Sequence, residues 1–519
     1  MKALVAGLVV VSSVASCASP PPASPTSSAA PCAPVAAEKG RLRVRVLLDP
    51  ASEAPAVSGR LVVAMTTASD VTSPFDIDVD RQQEVWKAAI DVHALPRGGA
   101  VEVDPDLLAW PRPFSQAPAG AYRVAARLTR ADGRTLIGPA TEQTLEPARA
   151  GTVEVRLDAA APPPVEPKLP PGVDVVALES KLLTAFYGRP TFIEAVVSLP
   201  PNYGYGKEHG KEKTRRYAVE YFVMGFGGSV QAAAEDIVKE RRALAEAKYP
   251  EMVRVYLPGN IPSGHHVFAD SLNDGPRGRA LVEELVPHLE KKYALLAAPR
   301  GRLLAGYSSG GWASLWLLIN HPDFFGGTWS AAPDPVDFRS FTTVDVTAGS
   351  KDNFYRKRDG TPRGMLRIDG RDRLTIEDIA RLERIDGGVG PLGTFEWVFS
   401  PRGPAGLPMP LYDRATGEQD PEVQRAWEKW DIHKVLETRW AALGPKLQGK
   451  LHLFAGGADT FHLDESLALL CEFLKSKKSD AVCEIVPAKT HFDLMGDPSD
   501  PQSLGWRVRH EMAAAAGVK

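Results

Sequence analysis

The string Gly306-Tyr307-Ser308-Ser309-Gly310 constrains this chain more than any other feature. The apolar run Leu303-Leu304-Ala305 leads into it as a predicted strand over Arg302–Gly306. Ser309–Asn320 follows as a predicted helix. A turn that passes straight from strand to helix strains its central residue. Small residues two before and two after remove side chains that would collide, and the central hydroxyl is left exposed. The helix N-terminus adds positive potential beside that hydroxyl. With 45 Gly in the chain, such a string arises by chance on the order of a few tenths of a time per chain. Its weight therefore comes from the strand before it and the helix after it, which make Ser308 a candidate nucleophile.

The surrounding pattern fits that reading. Predicted strands at Ile193–Leu199, Tyr217–Met224, Val253–Leu257, Thr328–Ala332, Leu451–Ala455 and Cys483–Val486 alternate with predicted helices at Val230–Ala247, Arg279–Tyr293 and Asp464–Lys475. This alternation predicts an α/β architecture with a mostly parallel central sheet flanked by helices, over residues 174–519. Between about 338 and 447 the rhythm breaks, with Gly387-Gly388, several Pro and mixed charge. We read that stretch as an insertion over the sheet that shapes the substrate wall.

The first part of the chain differs in kind. Lys2 and the apolar run Ala3–Val11 read as an export signal, too short to span a bilayer. Val14-Ala15-Ser16-Cys17 resembles the lipobox of bacterial lipoproteins. That resemblance implies a lipoprotein signal peptide over residues 1–17, with Cys17 lipidated and becoming the mature N-terminus, and an exported protein anchored in the cell envelope. Residues 18–39, rich in Pro, Ser and Ala, are expected to form a disordered tether. Residues 40–158 read as all-β and sandwich-like. Strands are predicted at Arg41–Leu47, Gly59–Thr66, Val101–Val103, Tyr122–Leu128 and Thr152–Leu157, with turns at Pro118–Gly120 and Asp132-Gly133. Trp86 and Trp110 there could form a sugar platform, against the commoner fate of packing. Residues 159–173 are a Pro-rich linker. Net charge is −3 with no basic run, which argues against a nucleic-acid partner.

Met224-Gly225-Phe226-Gly227-Gly228 ends one predicted strand and precedes a helix. Glycine lets a substrate carbonyl approach main-chain donors, so the N–H groups of Phe226 and Ser309 are the predicted oxyanion hole, with Gly227 beside the substrate. The runs Glu284-Leu285-Val286-Pro287-His288-Leu289-Glu290-Lys291-Lys292-Tyr293, Gly306–Gly311, His321-Pro322-Asp323-Phe324-Phe325 and Val197-Ser198-Leu199-Pro200-Pro201-Asn202-Tyr203 complete a pattern. Together they resemble the esterase D / enterochelin-esterase-like family of α/β-hydrolases, over about residues 175–337 and 448–495. The resemblance implies the α/β-hydrolase fold and hydrolysis of a carboxylic ester or thioester by a Ser-His-Asp triad. Relatives act on siderophore esters, feruloyl-polysaccharides and formyl-thioesters, so the implied substrate is a small-molecule or glycan-linked ester. Met224 departs from the family, where His usually precedes the first Gly and supports the loop.

That fold orders its triad as Ser, then acid, then His. Leu451–Ala455 leads into Gly456-Gly457-Ala458-Asp459, making Asp459 the predicted acid; Asp464 competes but suits a helix N-cap. Cys483–Val486 leads into Pro487-Ala488-Lys489-Thr490-His491, making His491 the predicted base. His462 violates the chain order and is assigned to the pocket lining. His265 and His266, after the strand Val253–Leu257, are assigned to substrate contact, with Asp270 nearby. Trp312 is assigned to packing. Cys471 and Cys483 allow either a disulfide or two small buried apolar residues. No Cys/His cluster has zinc spacing, and neither metal nor cofactor is expected. The competing reading is a non-catalytic ligand- or glycan-binding lipoprotein on a hydrolase scaffold. Oligomeric state has no signal in the sequence.

Overall fold

The computed structural model describes residues 41–52, 54–69, 73–75, 84–130, 134–160, 169–203, 215–244, 250–387, 389–497 and 499–518. Cys17, Cys32, the tether at 18–39, the Asp132-Gly133 turn and most of the Pro-rich linker lie outside them. The chain divides into two compact units, Met1–Val165 with Asp378–Val389, and Glu166–Glu377 with Gly390–Lys519.

The first unit is built from two sheets. Strand Leu42–Leu48 is the middle of a three-stranded sheet, antiparallel to Ala100–Val103 and parallel to Gly151–Leu157. Its alternate residues Leu42, Val44, Val46 and Leu48 are buried, as period-2 patterning requires. They share one apolar core with Leu61, Val63, Met65, Val124, Ala126 and Leu128, which come from the longer sheet centred on Ala56–Thr66 and Gly120–Arg130. Strand Val85–Pro96 was not predicted, because its Ala-rich stretch lacks strict alternation, yet it pairs with Ala56–Thr66 over most of its length. Trp86 and Trp110 are only 2% and 0% exposed, and Trp86 packs edge-on against Tyr122. Neither can serve as a sugar platform, so that expectation is corrected. Within this unit Asp386 pairs with Arg127 at 2.9 Å and with the fully buried Lys87 at 3.8 Å.

The second unit contains an eight-stranded sheet. Its strands are β1 (Val173–Glu179), β2 (Phe192–Ser198), β3 (Val219–Val223), β4 (Val253–Leu257), β5 (Arg302–Tyr307), β6 (Gly327–Ala331), β7 (Leu451–Gly456) and β8 (Val482–Val486). The order across the sheet is β1-β2-β4-β3-β5-β6-β7-β8. β2 runs antiparallel to β1 and β4, and every other neighbouring pair is parallel. That order and direction are those of the α/β-hydrolase fold. Helix α1 (Val230–Leu244) links β3 to β4, and helix α2 (Ser309–Asn320) links β5 to β6. Almost every residue of α2 is buried, because the sheet covers one side and other elements the rest.

The long stretch between β6 and β7 includes the expected insertion. Within this unit it contributes a hairpin of Gly364–Ile368 and Arg371–Thr375, and helix α3 (Pro391–Phe399). Its aromatic residues anchor it on α2. Trp312 packs on Phe399 at 5.2 Å between ring centroids, and Trp316 on Trp430 at 5.2 Å. Trp312 is therefore a packing residue. Helix α4 (Leu463–Ser476) lies between β7 and β8, and a disulfide joins its Cys471 to Cys483 on β8. This resolves the alternatives for those two cysteines.

Candidate active site

Four loops at the carboxyl ends of β3, β5, β7 and β8 bring the predicted residues to one end of the sheet, where open α/β sheets place their sites. Ser308 occupies the turn between β5 and α2 with φ 58° and ψ −124°, a conformation that side chains rarely adopt. Two close approaches explain the flanking glycines. A Cβ on Gly306 would lie 2.0 Å from the Gly310 carbonyl oxygen, and one on Gly310 would lie 2.0 Å from that of Val223. The turn is held by Ser308 N–H donating to the Ala331 carbonyl at 3.0 Å and Trp312 N–H donating to that of Ser308 at 3.1 Å.

His491 Nδ1 lies 2.9 Å from Asp459 Oδ2, with His491 3% and Asp459 0% exposed. The other carboxylate oxygen of Asp459 accepts the N–H groups of Phe461 at 2.8 Å and Leu463 at 3.3 Å. The rings of Tyr307, Phe461 and Phe492 surround the imidazole at 4.8–5.3 Å between centroids. An imidazole held this way presents Nε2 while its Nδ1–H donates to the carboxylate. Burial pushes the Tyr307 hydroxyl well above its usual range, reinforced by Asp459 and Asp493, so it stays protonated.

The loop after β3 lies against the turn. A Cβ on Gly225 would sit 3.4 Å from Ser308 Cβ and 3.1 Å from the Tyr307 carbonyl oxygen. Among the described residues, the N–H groups of Phe226 and Ser309 donate to no other protein group. Two such donors flanking Ser308 meet the chemical requirement of an oxyanion hole.

Four predicted pocket residues have other places. Gly227 is not free to meet substrate through its N–H, which donates to Asn260 Oδ1 at 2.8 Å. His265 is fully buried beneath the loop, its Nε2 2.8 Å from the Met224 carbonyl oxygen. His266 is buried against Phe268, and its Nδ1 accepts the Phe268 N–H at 3.1 Å. Burial, then the Arg277 charge, then His265 hold His266 well below the usual imidazole range. His462 is buried and pairs with Asp372 at 3.0 Å and Glu465 at 3.6 Å. It occupies the N-cap position of α4, and the competing acid Asp464 lies one turn in, paired with Arg367 at 2.7 Å. Asp270 accepts the Arg279 N–H at 3.0 Å.

Asp334 was missed. It follows β6, and its Oδ1 accepts the Ser308 hydroxyl at 3.4 Å, while its Oδ2 is buried without a hydrogen-bond partner. Burial pushes its carboxyl up to about 6, against the lowering influence of Ser309, His491 and Ser308. Among the described residues no hydrogen bond joins Ser308 to His491, so Oγ rests on Asp334 here. The available signal was position: an acidic residue just past the end of a parallel strand beside the nucleophile strand.

Residues 193–376 match the Esterase family model, described as "Putative esterase". The match covers less than half of the chain, including Ser308 and the loop at 224–228 but neither Asp459 nor His491. No curated protein matches the chain. Among solved structures, a "ferulic acid esterase" is 16% identical, covering 67% of this chain and 98% of its own, with a TM-score of 0.39. FphF, a fluorophosphonate-binding serine hydrolase of Staphylococcus aureus, is 11% identical, covering 66% and 98%, with a TM-score of 0.38. An S-formylglutathione hydrolase from Agrobacterium tumefaciens is 12% identical, covering 68% and 98%, with a TM-score of 0.38.

Proposed function

We propose that this protein is a serine esterase that hydrolyses a carboxylic ester or thioester through an acyl-enzyme on Ser308. The observation that carries the reading is the buried His491–Asp459 pair at 2.9 Å, set beside a strained serine flanked by two unpartnered N–H groups. The family match over residues 193–376 supports ester hydrolysis independently of that geometry.

In the proposed cycle Ser308 Oγ turns from Asp334 to His491 Nε2 and attacks the ester carbonyl carbon as Nε2 takes its proton. The carbonyl π electrons move onto oxygen, and the N–H groups of Phe226 and Ser309 hold that oxyanion. Asp459 keeps the imidazolium oriented and balances its charge. Collapse of the tetrahedral adduct breaks the bond to the leaving group, which departs as alcohol or thiol with the proton from Nε2. A water then gives a proton to Nε2 and attacks the acyl-enzyme. The second collapse releases the acid and returns the proton to Ser308.

The direct test is turnover of a chromogenic short-chain ester together with fluorophosphonate labelling. Wild-type protein should turn over and label, and Ser308→Ala should lose both, with kcat falling by about 10⁴-fold or more. A folded wild type that neither turns over nor labels would leave the ligand-binding alternative in its place. The same reading extends to location: we propose an exported lipoprotein held in the bacterial envelope through Cys17. Mass spectrometry of the membrane fraction should find a diacylated N-terminal Cys17, and an unacylated mature N-terminus would refute the anchor.

A further inference from the structure

We infer that His265 is a positioning residue for the oxyanion hole, and that the insertion sets it in place through Thr394. This rests on the esterase reading above. The inference comes from accounting for every polar group around the loop Met224–Gly227. The residues on either side of Gly225-Phe226 are each tied to one small hairpin. Asn260 and His265 lie opposite each other across that hairpin. Asn260 Oδ1 accepts the Gly227 N–H at 2.8 Å, and His265 Nε2 reaches the Met224 carbonyl oxygen at 2.8 Å. The Phe226 N–H between these braces is the one aimed at substrate.

The imidazole's own bonds decide its tautomer. Nδ1 accepts the Val267 N–H at 3.1 Å, so that nitrogen carries no proton. Nε2 therefore carries it and donates to Met224. Both nitrogens are used, and the ring is fully buried. Burial also lowers His265 to about 4, which keeps it neutral with this one donor through the working range. The neighbouring titratable groups are His266, whose ring centroid lies 6.0 Å away, and Arg277, whose charge acts on His266. The ring lies on bare backbone: a Cβ on Gly259 would fall 2.2 Å from its Nε2.

The hairpin is fixed in turn from the insertion. His265 N–H donates to Thr394 Oγ1 at 2.6 Å, and Thr394 lies on α3 at 2% exposure. Gly264 leaves the room for this, because a Cβ there would sit 2.1 Å from that hydroxyl. Thr394, His265 and the Met224 carbonyl thus form one buried line from the insertion to the oxyanion loop. A donor held this way needs no reorganisation when charge develops on the substrate oxygen. Losing the brace should therefore cost kcat and leave ground-state binding nearly intact.

The test measures kcat, KM and fluorophosphonate labelling rate for wild type and three variants, with circular dichroism and thermal unfolding as fold controls. His265→Phe keeps the ring volume and removes the donor; kcat and labelling should fall about 10–100-fold with KM within about threefold. His265→Gln carries an amide donor of similar reach and should recover about tenfold of that loss. Thr394→Val keeps shape and removes the hydroxyl, and kcat should fall about 3–10-fold. A folded His265→Phe with wild-type kcat overturns the inference. So does His265→Gln performing no better than His265→Phe, which would mark the ring as packing. Should His265→Phe fail to fold, Thr394→Val with unchanged kcat overturns it. A wild type that neither turns over nor labels overturns the esterase reading itself, and with it this inference.

Discussion

The two halves of the site are held by different means. The nucleophile half is backbone against backbone: Gly306 against Gly310, and Gly310 against Val223, at separations that admit no side chain. The acid half is held by long side chains from far along the sequence. Arg367 donates to the Asp459 carbonyl from Nε at 3.1 Å and Nη2 at 2.9 Å, and also binds Asp464. Asp372, on the same hairpin, pairs with His462. Short-range steric fit tolerates nothing, whereas a clamp of charged hydrogen bonds can be lost in parts. The insertion is therefore part of the site's framework.

The comparison predicts a graded set of failures. The largest should come from the nucleophile half. Gly310→Ala drives a methyl into the Val223 carbonyl, so it should cost roughly 10³-fold or more in kcat together with several kcal/mol of stability, as backbone strain at such a turn does. Near-normal turnover by a folded Gly310→Ala would break the claim that the elbow is sterically determined. The acid half should fail more gently. Arg367→Met keeps the stem and loses the clamp, leaving a buried carbonyl less satisfied; kcat should drop about 10–30-fold with a stability loss of about 1–3 kcal/mol. A drop as deep as that of Gly310→Ala would erase the distinction between the halves.

The smallest effect concerns Asp334, which lies on the seam between them. Its folded-state value, about 6, stands above the ordinary 3.8, because burial disfavours the carboxylate. The protonated form is thus favoured by folding. Its contribution to stability is full below about pH 3.8 and is lost as pH rises through about 6. Asp334→Asn removes that penalty. The variant should gain about 1–2 kcal/mol over wild type at pH 8 and almost none at about pH 3, read by thermal unfolding across pH. A gain of equal size at both pH values would show that the carboxylate's charge is not the cause.

How far the site could be read in advance follows the same division. Ser308 was assigned from its glycine-flanked strand-to-helix turn, and Asp459 and His491 from strand order, since each stands at the end of a strand in the order this fold demands. Strand Val253–Leu257 and helix Ser309–Asn320 match their predicted bounds residue for residue. By contrast, Val173–Glu179 is a seven-residue edge strand whose first residue was given to the linker, because Asp174 and Glu179 interrupt its apolar pattern. Gly227, His265, His266 and His462 were placed in the pocket by proximity in sequence to strand ends. Their actual partners include residues tens of positions away, such as Asn260 for Gly227, Met224 for His265 and Asp372 for His462.

By itself, then, the sequence determined the alternation of strands and helices, the turn that only glycine permits, and the order of the three site residues. All are local or periodic properties, set by steric fit and by the spacing of apolar side chains. The tertiary structure alone decided which polar groups are already engaged. It put the Gly227 N–H and the His265 ring to work inside the protein, left the Phe226 and Ser309 N–H groups unclaimed among the described residues, and brought Asp334 to Ser308. A hydrogen bond depends on approach to within about 3 Å, and such approach between distant residues exists only once the chain has folded.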